Sequence, residues 1–266
     1  MGITPLRDKA RIEALLREDP ELHIYSLGDL DDFFWPYTTW YGLEEAGVLH
    51  DVVLIYAGKA LPTVVGISQR PDVVSELLRQ VTGLLPERFH AHLSLGVEEA
   101  FRDNHELEPH GTHYRMGLHD RSIVRRVDCS RVESLTETDL DELLEFYEVS
   151  YPGNWFDPRM LQTHHYCGLR EAGHLVSVAG VHVVSRAYRV AAIGNIATHP
   201  AHRGKGYGKQ VTARLCQSLL ATADHIGLNV KADNDIAIDC YKKLGFEIVA
   251  PYAEFNVERF CSSGLG

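Results

Sequence analysis

The chain has 266 residues, with 26 Lys or Arg against 37 Asp or Glu, a formal net charge of −11. Its 45% apolar and 24% charged residues are the values of a globular protein, long enough for one large domain or two small ones. The acidic balance excludes general nucleic-acid binding and docking on anionic membranes, both of which rest on Lys and Arg meeting phosphate.

From the N-terminus, Met1–Asp8 has no apolar signal core, and apolar runs such as Val52–Tyr56 and Val176–Val184 are too short or too interrupted to span a bilayer. A cytoplasmic protein without membrane contact is expected. Leu6–Arg17 has helical spacing and stops at Asp19-Pro20. Asp29–Trp40 concentrates acids and aromatics; it reads as a packed corner capped by surface acids, or else as the lining of a pocket. Asp51–Tyr56 and Pro62–Ser68 read as a hairpin. Pro71–Leu84 reads as a helix with Val74, Leu77, Leu78 and Val81 on one face. Ala91–Leu95 and His113–Leu118 read as strands. The first half is thus an α+β unit without a ligand motif.

A second unit begins near residue 123. Arg121–Val132 reads as a strand, Thr136-Glu137-Thr138-Asp139 as the N-cap signal of a helix carrying Leu140, Leu143, Leu144 and Tyr147, and Pro158–Tyr166 as a short helix. His174–Ser185 and Val190–Thr198 read as strands joined by Arg186–Arg189. Then follow a helix over Gly208–Ile226, a strand over Leu228–Ala232, a helix over Asn234–Leu244, and closing strands over Phe246–Glu258.

Five cysteines (Cys129, Cys167, Cys216, Cys240 and Cys261) stand singly without a CxxC, poor material for disulfides or zinc. The 15 histidines contain no HExxH, and His164-His165 point apart on a helix. No metal is expected.

Charge is unevenly placed. Residues 1–123 hold 11 basic and 20 acidic residues, and residues 124–266 hold 15 and 17. Between Glu171 and Asp224 there is no acid, while Arg186, Arg189, Arg203, Lys205, Lys209 and Arg214 lie inside that window, a setting suited to a small anion. At its centre stands Arg203-Gly204-Lys205-Gly206-Tyr207-Gly208, after a strand and before a helix. Alternating glycines let backbone N–H groups turn inward, and the helix adds its free N-terminal N–H groups and positive dipole end, together a pyrophosphate cradle. The loop is neither a GxxxxGK[ST] P-loop nor a GxGxxG dinucleotide fingerprint, since Gln210 follows Lys209 and Lys209 fills the third glycine position.

This segment resembles the GNAT superfamily of acyl-CoA-dependent N-acyltransferases. The resemblance runs from about Ile123 to Phe260. Arg203–Gly208 matches the Q/R-x-x-G-x-G/A loop, Ile193–Pro200 the strand before it, and Leu228–Asn234 with Ala237, Tyr241 and Leu244-Gly245-Phe246 the second half of the CoA site. Tyr151–Phe156 and Ala191–Thr198 look nearest to glycine N-acyltransferase-like proteins, in which a degenerate GNAT-like half precedes the active one. The resemblance implies a catalytic GNAT domain over residues 124–266, with a mixed, mostly antiparallel sheet flanked by helices. A degenerate GNAT-like α+β domain over residues 1–123 would precede it.

It also implies roles. Backbone groups of Ile196, Ala197 and Thr198 would hold the acyl-pantetheine arm, and one N–H there would stabilise the oxyanion. Arg203, Gly204, Lys205, Gly206, Tyr207 and Gly208 would cradle the pyrophosphate. Asn234 would cap its helix and touch the arm, and Tyr241 would protonate the leaving thiolate. The family's common glutamate is missing from Gly194-Asn195-Ile196, so the base is a water chain or one of Glu254, His182, Tyr151 and Glu148. The acceptor would meet the Tyr147–Trp155 loop, the Arg186–Arg189 turn and Tyr252–Asn256. Arg186 or Arg189 would clamp a carboxylate or stand as a solvated turn residue. The activity implied is transfer of acetyl from acetyl-CoA to a primary amine, of a small molecule or a peptide, by direct attack in a ternary complex. Two other readings are a longer-chain acyltransferase of glycine N-acyltransferase type and a non-catalytic CoA sensor.

Overall fold

The computed structural model describes residues 2–260, so Cys261 lies outside the described residues. Its chain divides into two compact units. One comprises residues 2–115, 231–233 and 249–260, and the other residues 116–230 and 234–248.

The first unit runs β1 (Gly2–Leu6), α1 (Lys9–Leu16), α2 (Ile24–Gly28), β2 (Thr38–Glu45), β3 (Val48–Tyr56), β4 (Thr63–Gly66), α3 (Pro71–Val81), β5 (Arg88–Ser94) and most of β6 (His105–Leu118). Strands β1 to β4 are antiparallel neighbours, and β4 pairs parallel with β5. Helix α3 starts on Pro71, whose missing N–H costs nothing at a first turn, and buries the expected face of Val74, Leu77, Leu78 and Val81. Those side chains close a core with Val53, Val64, Phe89, Leu93 and Phe101. The aromatic stretch turns out to be largely structural. Trp40 is fully buried in β2, and its indole N–H donates to Thr38 Oγ1 at 2.9 Å.

The second unit contains α4 (Arg121–Arg125), β7 (Glu133–Ser134), α5 (Leu140–Ser150), β8 (Cys167–Glu171), β9 (His174–Ser185), β10 (Val190–Thr198), α6 (Tyr207–Leu219), β11 (His225–Lys231) and α7 (Asp235–Lys242). Its sheet is antiparallel from β7 to β10, and β10 pairs parallel with β11. Helix α6 packs on β9 and β10 through Val211, Leu215 and Leu219.

The strand expected over Arg121–Val132 is instead α4 and turns. Asp120 caps it by accepting from Ser122 N at 2.9 Å, a local bond that outcompetes the weak apolar alternation downstream. The helix expected to reach Ile226 ends at Leu219, because β11 already begins at His225.

The last strand, β12 (Phe246–Arg259), changes allegiance. Its first residues belong to the second unit, whereas Tyr252–Glu258 pair antiparallel with Arg88–Ser94 of β5. A cut at 123/124 therefore does not follow the compact units. The contacts switch at Met116, and residues 249–260 return to the first unit.

Gly245, in the turn between α7 and β12, lies in the left-handed region at φ +92°, and a Cβ there would lie 2.4 Å from Asp120 O. Its own carbonyl accepts from the N–H groups of His119 and Asp120. Gly245→Ala combines left-handed strain with a backbone clash and is expected to lower unfolding stability by about 3 kcal/mol. Urea denaturation of the variant measures this.

Candidate active site

The two units share an order of strand, helical segment, three strands ending in a parallel pair bridged by a helix, but the parallel pairs differ. In the first unit β4 is paired with β5 through Gly66, its last residue. In the second, β10 and β11 pair from Val190↔His225 to Ile193↔Leu228, and β10 then runs on unpaired to β11 as far as Thr198. The strands part there.

The cause of the parting is a bulge. The register of β10 against β9 shifts between Gly194 and Ala197, and Asn195 sits at φ +51°. A non-glycine residue in that region costs about 1–2 kcal/mol, least for Asn. Three buried hydrogen bonds offset it, each contributing about 1 kcal/mol. Tyr147 OH donates to Asn195 O at 2.7 Å, Asn195 Nδ2 to Tyr166 OH at 2.9 Å, and Ser177 Oγ to Ala197 O at 3.1 Å. Burial raises the pKa of both phenols, so both stay neutral, Tyr147 as donor and Tyr166 as acceptor. Across the gap, Asn229 Oδ1 on β11 is buried with no hydrogen-bond partner among the described residues.

The unpaired end of β10 leads directly into the glycine loop. Gly204 and Gly206 lie at φ +79° and +81°, and a Cβ on either would meet nothing within 4 Å. Gly206 is also the N-cap of α6. No side chain caps that helix, and no acid stands in its first turn, so its leading N–H groups and dipole end are left to a ligand or solvent. Arg203 is exposed, with Nε donating to Thr198 O at 3.3 Å.

Two members of the expected cradle have further partners. The ring of Tyr207 is buried and its hydroxyl donates to Glu171, so only its backbone can face a ligand. Lys205 Nζ lies 3.7 Å from Glu171 Oε2, and Arg131 NH2 lies 3.3 Å from Oε1. The Tyr207 hydrogen bond, with Arg131 and Lys205 beside it, holds the Glu171 carboxyl below its ordinary pKa. Exposed pairs of this kind contribute less than about 1 kcal/mol, so Lys205 is free to exchange Glu171 for a phosphate. Glu171 lies on β8, a strand absent from the sequence reading, just outside the acid-free window.

The corresponding loop of the first unit is built differently. Ser68 N donates to Ser94 Oγ and Arg70 N to Ser68 Oγ, both at 2.9 Å, so two of its amides are already used, and Glu18, Asp19 and Asp51 line the cavity beside it. Asp51 is buried beside it, its pKa pushed by burial up to about 6.

Asn234 caps α7, accepting from Ala237 N at 3.2 Å. Tyr241, seven residues on, is buried with its ring against Phe246, the centroids 6.0 Å apart. Next to it, burial raises the pKa of the Cys240 thiol. Arg189 forms a two-pronged pair with Asp224 at 2.6 and 2.7 Å and is a turn residue. Arg186 is exposed. Of the candidate bases, Glu148 and Tyr151 are exposed. Glu254 lies in the first unit, held by histidines and Tyr252. His182, on β9, packs on the bulged strand so closely that a Cβ on Gly194 would fall 2.1 Å from its ring. Tyr252, expected near the acceptor, is fully buried in the first unit.

The family model described as "Acetyltransferase (GNAT) family" matches residues 130–246, from just before β7 to the start of β12. N-alpha-acetyltransferase RimI of Mycobacterium tuberculosis is 30% identical over 125 residues, 45% of this chain and 76% of that protein. The chain belongs to the GNAT acetyltransferase family. An uncharacterised protein of Mycobacterium leprae is 32% identical over 127 residues, 44% of this chain and 34% of that protein. Among solved structures, a Drosophila protein superposes with a TM-score of 0.70 at 13% identity, over 96% of this chain and 98% of its own. A tandem GNAT protein from the clavulanic acid biosynthesis pathway gives 0.57 at 14% identity, over 98% and 99%. The fold is thus a tandem GNAT fold, α+β, with mixed sheet flanked by helices. Its second unit has both the parted strands and the open loop, and its first has neither. No helix among the described residues is long and apolar enough to cross a membrane.

Proposed function

We propose that the second unit is an acetyl-CoA-dependent N-acetyltransferase that acts by direct attack of a primary amine. The parting of β10 from β11 beyond Ile193 and Leu228 carries this reading, because it leaves backbone donors and acceptors of Ile196, Ala197 and Thr198 without sheet partners on that side. The pantetheine arm is an amide chain and would supply the missing partners. Buried Asn229 Oδ1 would receive one of its N–H groups. The amides at Gly204, Gly206 and Gly208 and the start of α6, with Arg203 and Lys205, would hold the pyrophosphate. Asn234 would touch the arm through its amide N–H2, since its Oδ1 is used in the cap.

In the reaction, the amine nitrogen forms a bond to the thioester carbonyl carbon and the C–S bond breaks. A backbone N–H of the bulged strand stabilises the oxyanion. Tyr241 gives its proton to the departing thiolate, and the amine proton leaves towards His182 and solvent. We assign His182 because it is the candidate base whose ring lies against the bulge. Replacing it with Asn is expected to lower kcat about 100-fold, with the Kd for CoA unchanged. Wild-type turnover in that variant would leave water as the acceptor of the proton.

A covalent route through Cys240 is disfavoured, since its raised pKa keeps the thiol protonated near neutral pH. Initial-velocity lines for acetyl-CoA against amine should intersect, and parallel lines would overturn direct transfer. The exposed aromatics Tyr151 and Trp155, after α5, suit a small, partly apolar amine or a peptide N-terminus. Thiol release from acetyl-CoA and from longer acyl-CoA thioesters, each with a panel of amines, tests the activity and the donor. Tight CoA binding without turnover of any amine would support a sensor instead.

A further inference from the structure

Three histidines gather around one carboxylate inside the first unit, with a fourth beside them, and none of these is a residue assigned above to CoA. His90 and His92 stand two apart on β5 and therefore on one face. In the β5–β12 register His92 faces Glu254 and His90 faces Asn256. His90 Nε2 lies 3.3 Å from Glu254 Oε2 and His92 Nε2 lies 3.4 Å from Oε1. One ligand atom from each of the three residues lies within 4.8 Å of the other two. His113 Nε2, on β6, is 3.6 Å from the same carboxylate, and the exposed His110 ring is 5.6 Å from that of His90.

The surrounding hydrogen bonds set the protons. Asn256 Nδ2 donates to Glu108 at 3.0 Å, which turns Asn256 Oδ1 towards His90 Nδ1 at 3.2 Å. An amide oxygen only accepts, so His90 Nδ1 carries a proton and, in the neutral ring, Nε2 presents a lone pair to a carboxylate oxygen. His113 repeats the arrangement, with Nδ1 3.2 Å from Gly111 O. Tyr252 OH donates to Glu254 Oε1 at 2.6 Å and fixes the carboxylate. His90 and His113 thus turn lone pairs towards the carboxylate, and the 3.3 to 3.6 Å separations of the three imidazoles from it are longer than a charge-assisted hydrogen bond of about 2.7–2.9 Å. A tetrahedral ion with bonds of about 2.0–2.1 Å to N and O sets its ligand atoms about 3.3 Å apart.

We propose that His90, His92 and Glu254 form a binding site for a divalent transition-metal ion, with Zn2+ the ion suited to two imidazoles and a carboxylate. Asn256 and Tyr252 are its positioning residues, in the manner of outer-shell groups that fix a histidine tautomer or orient a ligating carboxylate. Three protein ligands leave a fourth position for water or for His113. Side-chain exposures of 20% for His92 and 15% for Glu254 give the ion a way in. Arg115, a buried cation of the same unit, bonds to Leu22 O and lies 5.7 Å from the Tyr252 ring centre.

The test uses the full chain, free of any histidine tag and stripped with a chelator. Calorimetric titration with Zn2+ should show one ion per chain, and Co2+ should give the visible absorption of a low-symmetry site. His90→Ala/His92→Ala is expected to weaken Zn2+ binding at least about 100-fold and to lose the Co2+ bands. Glu254→Gln, which keeps the shape, should weaken it about tenfold or more. Thermal melting should rise with Zn2+ in the wild type and not in the variants. Should the double variant fail to fold, Glu254→Gln decides, and imidazole 15N shifts of His90 and His92 in the wild type locate the ion without mutation. Absence of stoichiometric binding by the wild type up to about 1 mM Zn2+, well above the range of specific sites, would overturn the proposal. So would an unchanged isotherm in a folded variant, or 15N shifts confined to other histidines.

Discussion

Gly206→Glu should abolish measurable CoA binding in a protein that remains folded. Gly206 is in the left-handed region, at φ +81°, caps α6, and has open space where a side chain would project. The added side chain has no protein atom to strike, so the effect on the fold is limited to backbone strain of about 1–2 kcal/mol. The effect on the ligand is larger. A carboxylate would stand where the amides of the loop and of the helix start are proposed to meet a pyrophosphate. Loss of two charge-assisted hydrogen bonds alone, at about 1.5–3 kcal/mol each, weakens binding by about two to four orders of magnitude, and repulsion adds to it. Gly206→Ala separates the contributions, carrying the strain without the charge, and should keep affinity within about tenfold of wild type. Calorimetric titration with CoA reads both variants. Wild-type affinity in Gly206→Glu would move the pyrophosphate away from this loop.

The second large effect is expected from Tyr241→Phe, with kcat falling about 100-fold or more at unchanged CoA affinity. The substitution removes one oxygen and keeps the ring that packs against Phe246, so α7 and its Asn234 cap should survive. What is lost is the proton for the thiolate. Thiol-release kinetics with saturating amine, beside a CoA titration, make the measurement. An unchanged kcat would take Tyr241 out of the chemistry, and an equal fall in affinity would make it a binding residue.

The legible and illegible parts of the site differ in how local their causes are. Arg203–Gly208 could be read because its geometry is written in its own residues: positive φ asks for glycine, and the helix start follows within two positions. Strands β9 and β10 lie where their β-branched runs place them. The bulge at Asn195 could not be read, since nothing near residue 195 demands it. It depends on hydroxyls from Tyr147 and Tyr166, brought from α5 and from the approach to β8. Glu171 was hidden for the same reason, its role depending on where β8 falls against Lys205 and Arg131. The cluster around Glu254 joins residues 164 positions apart in sequence. Its local trace was His90-Ala91-His92, a pair two apart on a strand face, which carries weight only once β12 is known to face it. Asp29–Trp40 left two readings open, a packed corner or a pocket lining, and burial of Trp40 between its strand partners on β1 and β3 favours the first.

The return of residues 249–260 to the first unit bears on how the protein is made. Strand β5 leaves the ribosome well before its partner in β12, whose Glu254 follows His90 by 164 positions. Until then one edge of β5 lacks its native hydrogen-bonding partner, and an open edge of this kind invites association with other chains. The N-terminal half therefore cannot reach its finished state vectorially, ahead of the half that follows it. Pairings so distant along the chain also slow folding. A fragment ending at residue 123 would lack that strand, and a fragment starting at 124 would carry it with nothing to pair. Expressing the halves separately is expected to give poorly soluble products, whereas co-expressing them lets β12 find β5 in trans.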